Sequence, residues 1–355
     1  MRVLIAAGGT GGHIYPGIAV ANEIMRRDET NDVLFVGTTH GLETKIVPEN
    51  GFQLSVIASS GLKNVGLVGK IKGAAVLPKS FIEAWKLIRD FRPDVVVGAG
   101  GYVSGPVLMT AHFMGRRTLV MDSNAMPGFT NRTLARFVDK AALTFDEAMP
   151  FFGKKGIVTG NPVRNDFFDI EVREPQIPLD LLVFGGSQGS RAINNAIVDS
   201  LADLDHEAVK ITHQTGTADL EAVRENYASH GWPDADIRPY ITDMVAAFDE
   251  ADLIVCRAGA TTCAEVAAAG KVAIMIPLPT AADDHQRKNA EAFVAKGAAK
   301  MVLQADLTGE RIADEINQAI ADLGSLKEMG ANARRLSRPD AAEAAVDLIE
   351  SLSRK

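Results

Sequence analysis

Eight short apolar runs recur along the chain, spaced so that helices fit between most of them: RVLIAA (2–7), DVLFV (32–36), DVVVGA (94–99), TLVMD (118–122), LDLLVFG (179–185), AVKITH (208–213), ADLIVC (251–256) and VAIMIP (272–277). Most lack the apolar/polar alternation of a strand with one wet face. Continuous apolar runs suit strands buried on both sides, as in a parallel sheet sandwiched by helices. Intervening segments such as Pro16 to Arg27 and Ala264 to Gly270 carry helical spacing, so repeated β-α units and an α/β fold are predicted.

The pattern repeats itself. LIAA runs into Gly8-Gly9-Thr10-Gly11-Gly12, and 177 residues later LLVF runs into Gly185-Gly186-Ser187-Gln188-Gly189. Two doubly wound domains of similar plan explain that offset, with residues 1–163 forming the first and 164–339 the second. Asp166 to Pro178, charged and proline-containing, has the look of a linker. The last stretch, 340–355, follows Pro339 and spaces Ala341, Ala345, Leu348 and Leu352 as a helical stripe, which is free to return to the first domain.

Composition narrows the class. In 355 residues, 46% hydrophobic and 23% charged positions describe an ordinary globular protein. Two cysteines make no disulfide framework and no metal-type spacing, which favours a reducing compartment, and MRVLIAAGGTGG is too short an apolar run for a secretory signal. Val95 to Gly115 is uncharged and long enough to span a bilayer, but Gly98, Gly100, Gly101, Gly105 and Pro106 break it. The net charge of −8 is uneven: residues 1–160 hold 18 Lys+Arg against 13 Asp+Glu, and residues 161–355 hold 19 against 32. A basic first half gives nucleic acid or an anionic membrane a surface to meet.

Three glycine-rich segments sit where strands feed helices: GGTGGH (8–13), GAGGYVSGP (98–106) and GGSQGSR (185–191). Free N–H groups at such junctions attract phosphate. Neither G-x-G-x-x-G nor G-x-x-x-x-G-K-[ST] is satisfied, since Ile14 and Val103 stand where the first motif needs its last glycine, so dinucleotide and P-loop chemistry lose support. After ADLIV, the run Cys256 to Glu265 makes another strand-turn-helix, with Glu265 read near the first helical turn. There it serves either the helix dipole or a pair of ribose hydroxyls. Gln286 and Asn289 open a further helix, suited to capping or to sugar hydroxyls. The triplets Asp203-Leu204-Asp205 and Asp234-Ala235-Asp236 read as solvated surface, and Cys256 and Cys263 as buried packing.

Taken in order, GGTGGHIYP, GGYVSGP, GNPVR (160–164), GGSQGS, CRAGATTCAE and DxHQRKNA span the whole chain and resemble the MurG family of peptidoglycan glycosyltransferases. The resemblance implies a GT-B fold of two doubly wound Rossmann-like domains with a cleft between them. It also implies inverting transfer of N-acetylglucosamine from UDP-N-acetylglucosamine to the lipid-linked muramyl-pentapeptide pyrophosphate. Carried onto this sequence, it puts the Ile241 backbone at uracil, Glu265 at the ribose, Ser187 and its loop at the diphosphate, and Arg164 among the donor contacts. Ala260, Thr261, Thr262, Cys263 and Ala264 accompany Glu265, while Thr10, Gly11, Gly12, Asn124 and Gln286 surround the sugar. Tyr102 matches an acceptor position. The AADDH stretch before Gln286 departs from the polar residues common in relatives. No metal and no cofactor are called for.

An inverting displacement needs a base for the acceptor hydroxyl, and His13 is the candidate, with orientation of the loop as its other reading. The implied partners are the two substrates, an anionic membrane surface and other cell-wall synthesis proteins, not nucleic acid. The implied location is peripheral, on the cytoplasmic face of the inner membrane. Leu67 to Phe91, which mixes Phe81, Ile82, Trp85 and Ile88 with Lys70, Lys72, Lys79, Lys86 and Arg89, is the candidate membrane face, and Phe113 to Arg117 lies nearby. A core helix with solvated lysines is the other reading. Rival functions are a UDP-sugar epimerase or another lipid-directed glycosyltransferase of the same plan, a non-catalytic nucleotide-sugar-binding subunit and, more distantly, an NAD oxidoreductase.

Overall fold

The structure is a computed structural model that describes residues 1–9, 11–59 and 67–354, without the side chains of 67–75. Thr10 and the side chains of Leu67, Lys70 and Lys72, all singled out above, therefore lie outside the described residues. The chain divides into two compact units, Met1–Val163 with Arg338–Lys355, and Arg164–Ser337.

Unit 1 is built on seven parallel strands: β1 (Arg2–Ala7), β2 (Asp32–Gly37), β3 (Gln53–Val56), β4 (Val95–Gly100), β5 (Arg117–Asp122), β6 (Lys140–Leu143) and β7 (Gly156–Val158). Their order in the sheet is β3-β2-β1-β4-β5-β6-β7. Alternate residues of β1 enter different cores, which is why the strand is apolar throughout. Val3, Ile5 and Ala7 join Ile14 and Ile18 on one face, while Leu4 and Ala6 join Val107, Leu108 and Ile88 on the other. The helix Ala341–Ser353 packs on the helix Gly11–Arg27 and puts Ala345, Val346, Ile349 and Leu352 into the first of these cores. The Arg27 guanidinium fixes that return, donating to Asp347 at 2.6 Å and Glu350 at 3.1 Å.

Unit 2 repeats the plan with β8 (Leu179–Phe184), β9 (Val209–Gln214), β10 (Asp236–Arg238), β11 (Leu253–Cys256), β12 (Val272–Met275) and β13 (Lys300–Met301), ordered β10-β9-β8-β11-β12-β13 and also parallel. The strand order reverses between β1 and β4 in one unit and between β8 and β11 in the other. At such switch points the loops leaving the carboxyl ends of the strands diverge and open a crevice.

Two sequence expectations need correction. Asp166 to Pro178 is not a linker, because Phe167 is fully buried with its ring 5.2 Å from Phe248, and Ile170 is buried too. The apolar residues of DFFDI outweigh its charges. The glycine segments are also shorter as loops than their sequences suggest. The helix Gly11–Arg27 takes in Gly11, Gly12 and His13 and carries Pro16 inside, and the helix Ser104–Phe113 takes in Gly105 and Pro106. Pro106 lies in a first turn, whose N–H groups lack helical partners in any case; Pro16 costs its helix one bond, to the Gly12 carbonyl. No described helix is long and apolar enough to cross a membrane.

Candidate active site

In unit 2 the segment 185–190 leaves β8 and enters the helix Arg191–Ser200. Gly189 has φ +74°, and a Cβ there would fall 1.8 Å from the Thr215 carbonyl oxygen, so only glycine fits. Ser190 caps the helix, accepting the Ile193 N–H at 3.5 Å, while Ser187 stands exposed at the loop tip. Behind the loop, Arg257 donates to the Ser190 hydroxyl and to Gln304 Oε1, each at 2.7 Å, and to the Ile276 carbonyl at 3.1 Å. Its acceptors among the described residues are all neutral, so a half-buried positive charge stands without a carboxylate partner there, behind the glycine loop. That field favours a diphosphate.

The loop after β11 opens the helix Ala260–Ala269. Glu265 is its sixth residue, about 7 Å along the axis from the start at 1.5 Å per residue, and so beyond the first turn where the sequence reading put it. Helix-dipole stabilisation fades by that point, which removes the dipole account of this carboxylate. Burial pushes the carboxyl up to about 7, with the Arg164 guanidinium working in the other direction. Arg164 is exposed and lies 5.1 Å over the Phe167 ring. Ala260, Thr261, Thr262 and Ala264 are partly exposed, whereas Cys263 is fully buried with its N–H bonded to the Gly259 carbonyl at 2.9 Å. Cys263 therefore contributes packing.

Ile241 is buried, and its N–H donates to Gln214 Oε1 at 2.7 Å. Gln286 accepts the Leu278 N–H on Oε1 at 3.0 Å, which leaves its amide N–H groups as what it can present to a ligand.

In unit 1 the two glycine loops meet. A Cβ on Gly101 (φ +81°) would sit 2.2 Å from the Gly8 carbonyl oxygen, and one on Gly100 (φ +123°) 2.2 Å from His13 Nδ1. His13 thus lies in the first turn of its helix against the backbone that leads into Tyr102, which is 54% exposed. Beneath Gly8 and Gly9 sits the fully buried carboxylate of Glu43, which accepts the Gly9 N–H at 3.0 Å, the Thr38 N–H at 2.7 Å and the Thr38 hydroxyl at 2.8 Å. Burial alone would raise this carboxyl, but the N–H bonds hold it below the ordinary carboxylate range. At the end of β5, buried Asp122 accepts the Asn124 N–H at 3.0 Å and the Asn131 amide at 2.8 Å, and burial pushes it up to about 6. It holds the turn that presents Asn124.

Each unit therefore holds its own share of the expected residues: Gly11, Gly12, His13, Tyr102 and Asn124 in the first, and Arg164, Ser187, Ile241, the helical residues 260–265 and Gln286 in the second. Glu43, Asp122 and Gln214, which fix the backbones of these loops, were not anticipated. Each is a single polar residue at the end of a strand or the start of a short helix, with no motif of its own.

Residues 3–143 match the model of the glycosyltransferase family 28 N-terminal domain, and residues 180–345 that of the glycosyltransferase family 28 C-terminal domain. A relative in Citrifermentans bemidjiense, named UDP-N-acetylglucosamine--N-acetylmuramyl-(pentapeptide) pyrophosphoryl-undecaprenol N-acetylglucosamine transferase, is 46% identical over 357 residues, covering 99% of both chains. The crystal structure of Acinetobacter baumannii MurG superposes with a TM-score of 0.83 at 32% identity over 99% of each chain. The UDP-GlcNAc 2-epimerase from Neisseria meningitidis, bound to UDP-GlcNAc, reaches a TM-score of 0.71 at 13% identity over 99% of this chain and 100% of its own, a likeness of fold alone. With family models on both units and relatives alike along the entire length, the chain belongs to the MurG family of glycosyltransferases.

Proposed function

We infer that the chain transfers N-acetylglucosamine from UDP-N-acetylglucosamine to the lipid-linked muramyl-pentapeptide pyrophosphate, inverting the anomeric centre, in peptidoglycan synthesis. The observation that carries the reading is Arg257, with only neutral acceptors among the described residues, behind the 185–190 loop, while the helix that bears Glu265 opens at the same switch point. As the anomeric carbon–oxygen bond to UDP breaks, its electron pair moves to the β-phosphate. Helix N–H groups and a guanidinium stabilise that charge in a pre-organised way.

In this reading Glu265 accepts hydrogen bonds from the ribose hydroxyls, the Ile241 carbonyl faces uracil, Ser187 and its loop hold the diphosphate, and Arg164 adds positive charge. Gln286 offers its amide to the sugar, as do Asn124 and the backbone of Gly11 and Gly12. On the acceptor side His13 takes the proton from the attacking hydroxyl while that oxygen bonds to the anomeric carbon, and Tyr102 lines the approach. Support for the base role is positional: His13 stands where the two glycine loops of unit 1 touch.

The acceptor's lipid places the reaction at a membrane, and unit 1 carries the basic excess. On the helix Leu67–Phe91, Ser80, Ala84 and Ile88 face inward, while Ile82 (57% exposed) and Trp85 (44% exposed) face out beside Lys79, Lys86 and Arg89. Phe113, 72% exposed, and exposed Arg117 belong to the same unit. This mixture of exposed apolar and basic groups supports peripheral binding to the anionic cytoplasmic face of the inner membrane.

The test is an incubation with labelled UDP-N-acetylglucosamine with and without the lipid-linked acceptor. Transfer predicts label in the lipid fraction, β-linked, only when acceptor is present. Label that stays on UDP with an altered sugar configuration, acceptor or not, would establish an epimerase instead.

A further inference from the structure

We propose that Gln214 is a positioning residue that sets the base preference of the donor site, because it ties the diphosphate loop to the base loop and uses up the N–H of Ile241. Gln214 is the last residue of β9 and is 1% exposed. Its Oε1 accepts the Ile241 N–H at 2.7 Å and its Nε2 donates to the Gly186 carbonyl at 2.9 Å. A donor at one end and an acceptor at the other leave a single orientation for the carboxamide, since the flipped amide would set N–H against N–H and oxygen against oxygen.

The strand end that carries it is itself held. Neighbouring His213 is buried between Tyr227 (3.0 Å) and Asn194 (3.1 Å), and a Cβ on Gly216 would fall 2.2 Å from the Gln188 carbonyl oxygen. The spacing between the two loops is therefore fixed from beneath by one buried side chain.

The consequence is chemical. With its N–H committed, the Ile241 peptide offers a base only a carbonyl, which needs a donor. The N3 of uracil carries a hydrogen at neutral pH, whereas the N3 of cytosine presents a lone pair. Gln214 thus makes the site select a pyrimidine with N3–H, although it touches no base itself.

The inference rests on the placement of Ile241 at uracil. Its test is calorimetric titration of the full chain with UDP and with CDP. Wild type binds UDP at least tenfold more tightly than CDP. Gln214→Met frees the Ile241 N–H and narrows that ratio about tenfold. Gln214→Glu keeps the acceptor for Ile241 but sets a carboxylate oxygen against the Gly186 carbonyl, so it weakens both nucleotides by a similar factor, on the order of tenfold, and leaves the ratio in place. A UDP/CDP ratio unchanged in Gln214→Met while wild type discriminates would overturn the role of Gln214 alone. Wild type that fails to discriminate would overturn the Ile241 placement and this inference with it. Should Gln214→Met fail to fold, Gln214→Glu decides: loss of the ratio, or unchanged affinity for both nucleotides, refutes the proposal.

Discussion

Replacing Glu265 by glutamine separates what the carboxylate costs the fold from what it gives the donor. A carboxyl held at about 7 instead of 4.5 disfavours the folded state by about 3 kcal/mol once ionised, at 1.36 kcal/mol per pH unit. Residual solvent contact at this partly exposed side chain reduces that to about 1–2 kcal/mol. The folded value lies above the unfolded one, so the favourable contribution is complete below pH 4.5 and is lost as pH rises through 7. Glutamine does not titrate. Glu265→Gln therefore matches wild type in stability near pH 4.5 and exceeds it by about 1–2 kcal/mol at pH 8. The same change removes a charged acceptor for two ribose hydroxyls, which weakens UDP binding by about 2–3 kcal/mol, or roughly 30- to 150-fold. In wild type, UDP affinity climbs with pH through about 7 as Glu265 ionises. Differential scanning calorimetry at the two pH values, following the transition of unit 2, and titration with UDP measure both sides. A variant less stable at pH 8, or one that binds UDP like wild type, would show that this carboxylate is not held in readiness for a ligand.

His13→Ala should lower kcat by about 10²- to 10⁴-fold with UDP affinity nearly intact, as a general base requires; near-normal turnover excludes that role. Glu43→Ala removes the acceptor of the part-buried Gly9 and Thr38 N–H groups and should destabilise unit 1 by about 1–3 kcal/mol, and denaturant unfolding that matches wild type would contradict it. For the membrane face, the Lys79/Lys86/Arg89 charge reversal should cut co-sedimentation with anionic vesicles at least a hundredfold at low salt, at about 1 kcal/mol per basic residue removed. Undiminished pelleting would exclude this helix as the contact.

The eight apolar runs that the sequence displays correspond to β1, β2, β4, β5, β8, β9, β11 and β12, which form the centre of each sheet. Strands buried on both faces announce themselves by composition. The five that escaped notice, β3, β6, β7, β10 and β13, have two to four residues and lie toward the sheet edges, where β3 (Gln53–Val56) has no fully buried residue. The site was legible where chemistry and glycine coincide in one segment, as in the 185–190 loop. It was illegible where a loop is held by a residue distant in sequence: Glu43 stands 34 residues from Gly9, and Gln214 stands 28 from Gly186 and 27 from Ile241. Charged residues mislead in the opposite sense at 166–178, where their density suggests a linker although Phe167 and Ile170 are core.

The return of the helix Ala341–Ser353 to unit 1 bears on the order of assembly during synthesis. Unit 2 is a single continuous stretch, 164–337, and can close as soon as it has been made, whereas unit 1 is split around it. Its sheet emerges first, but Ile14 and Ile18 keep one flank bare until Ala345, Val346, Ile349 and Leu352 arrive, more than three hundred residues later. At ribosomal rates of about 5–20 residues per second, that exposure lasts roughly 15–70 seconds. The unit begun first is thus finished last, and a nascent chain halted near residue 338 would present a folded second half joined to a first half whose apolar flank remains open to chaperones and aggregation.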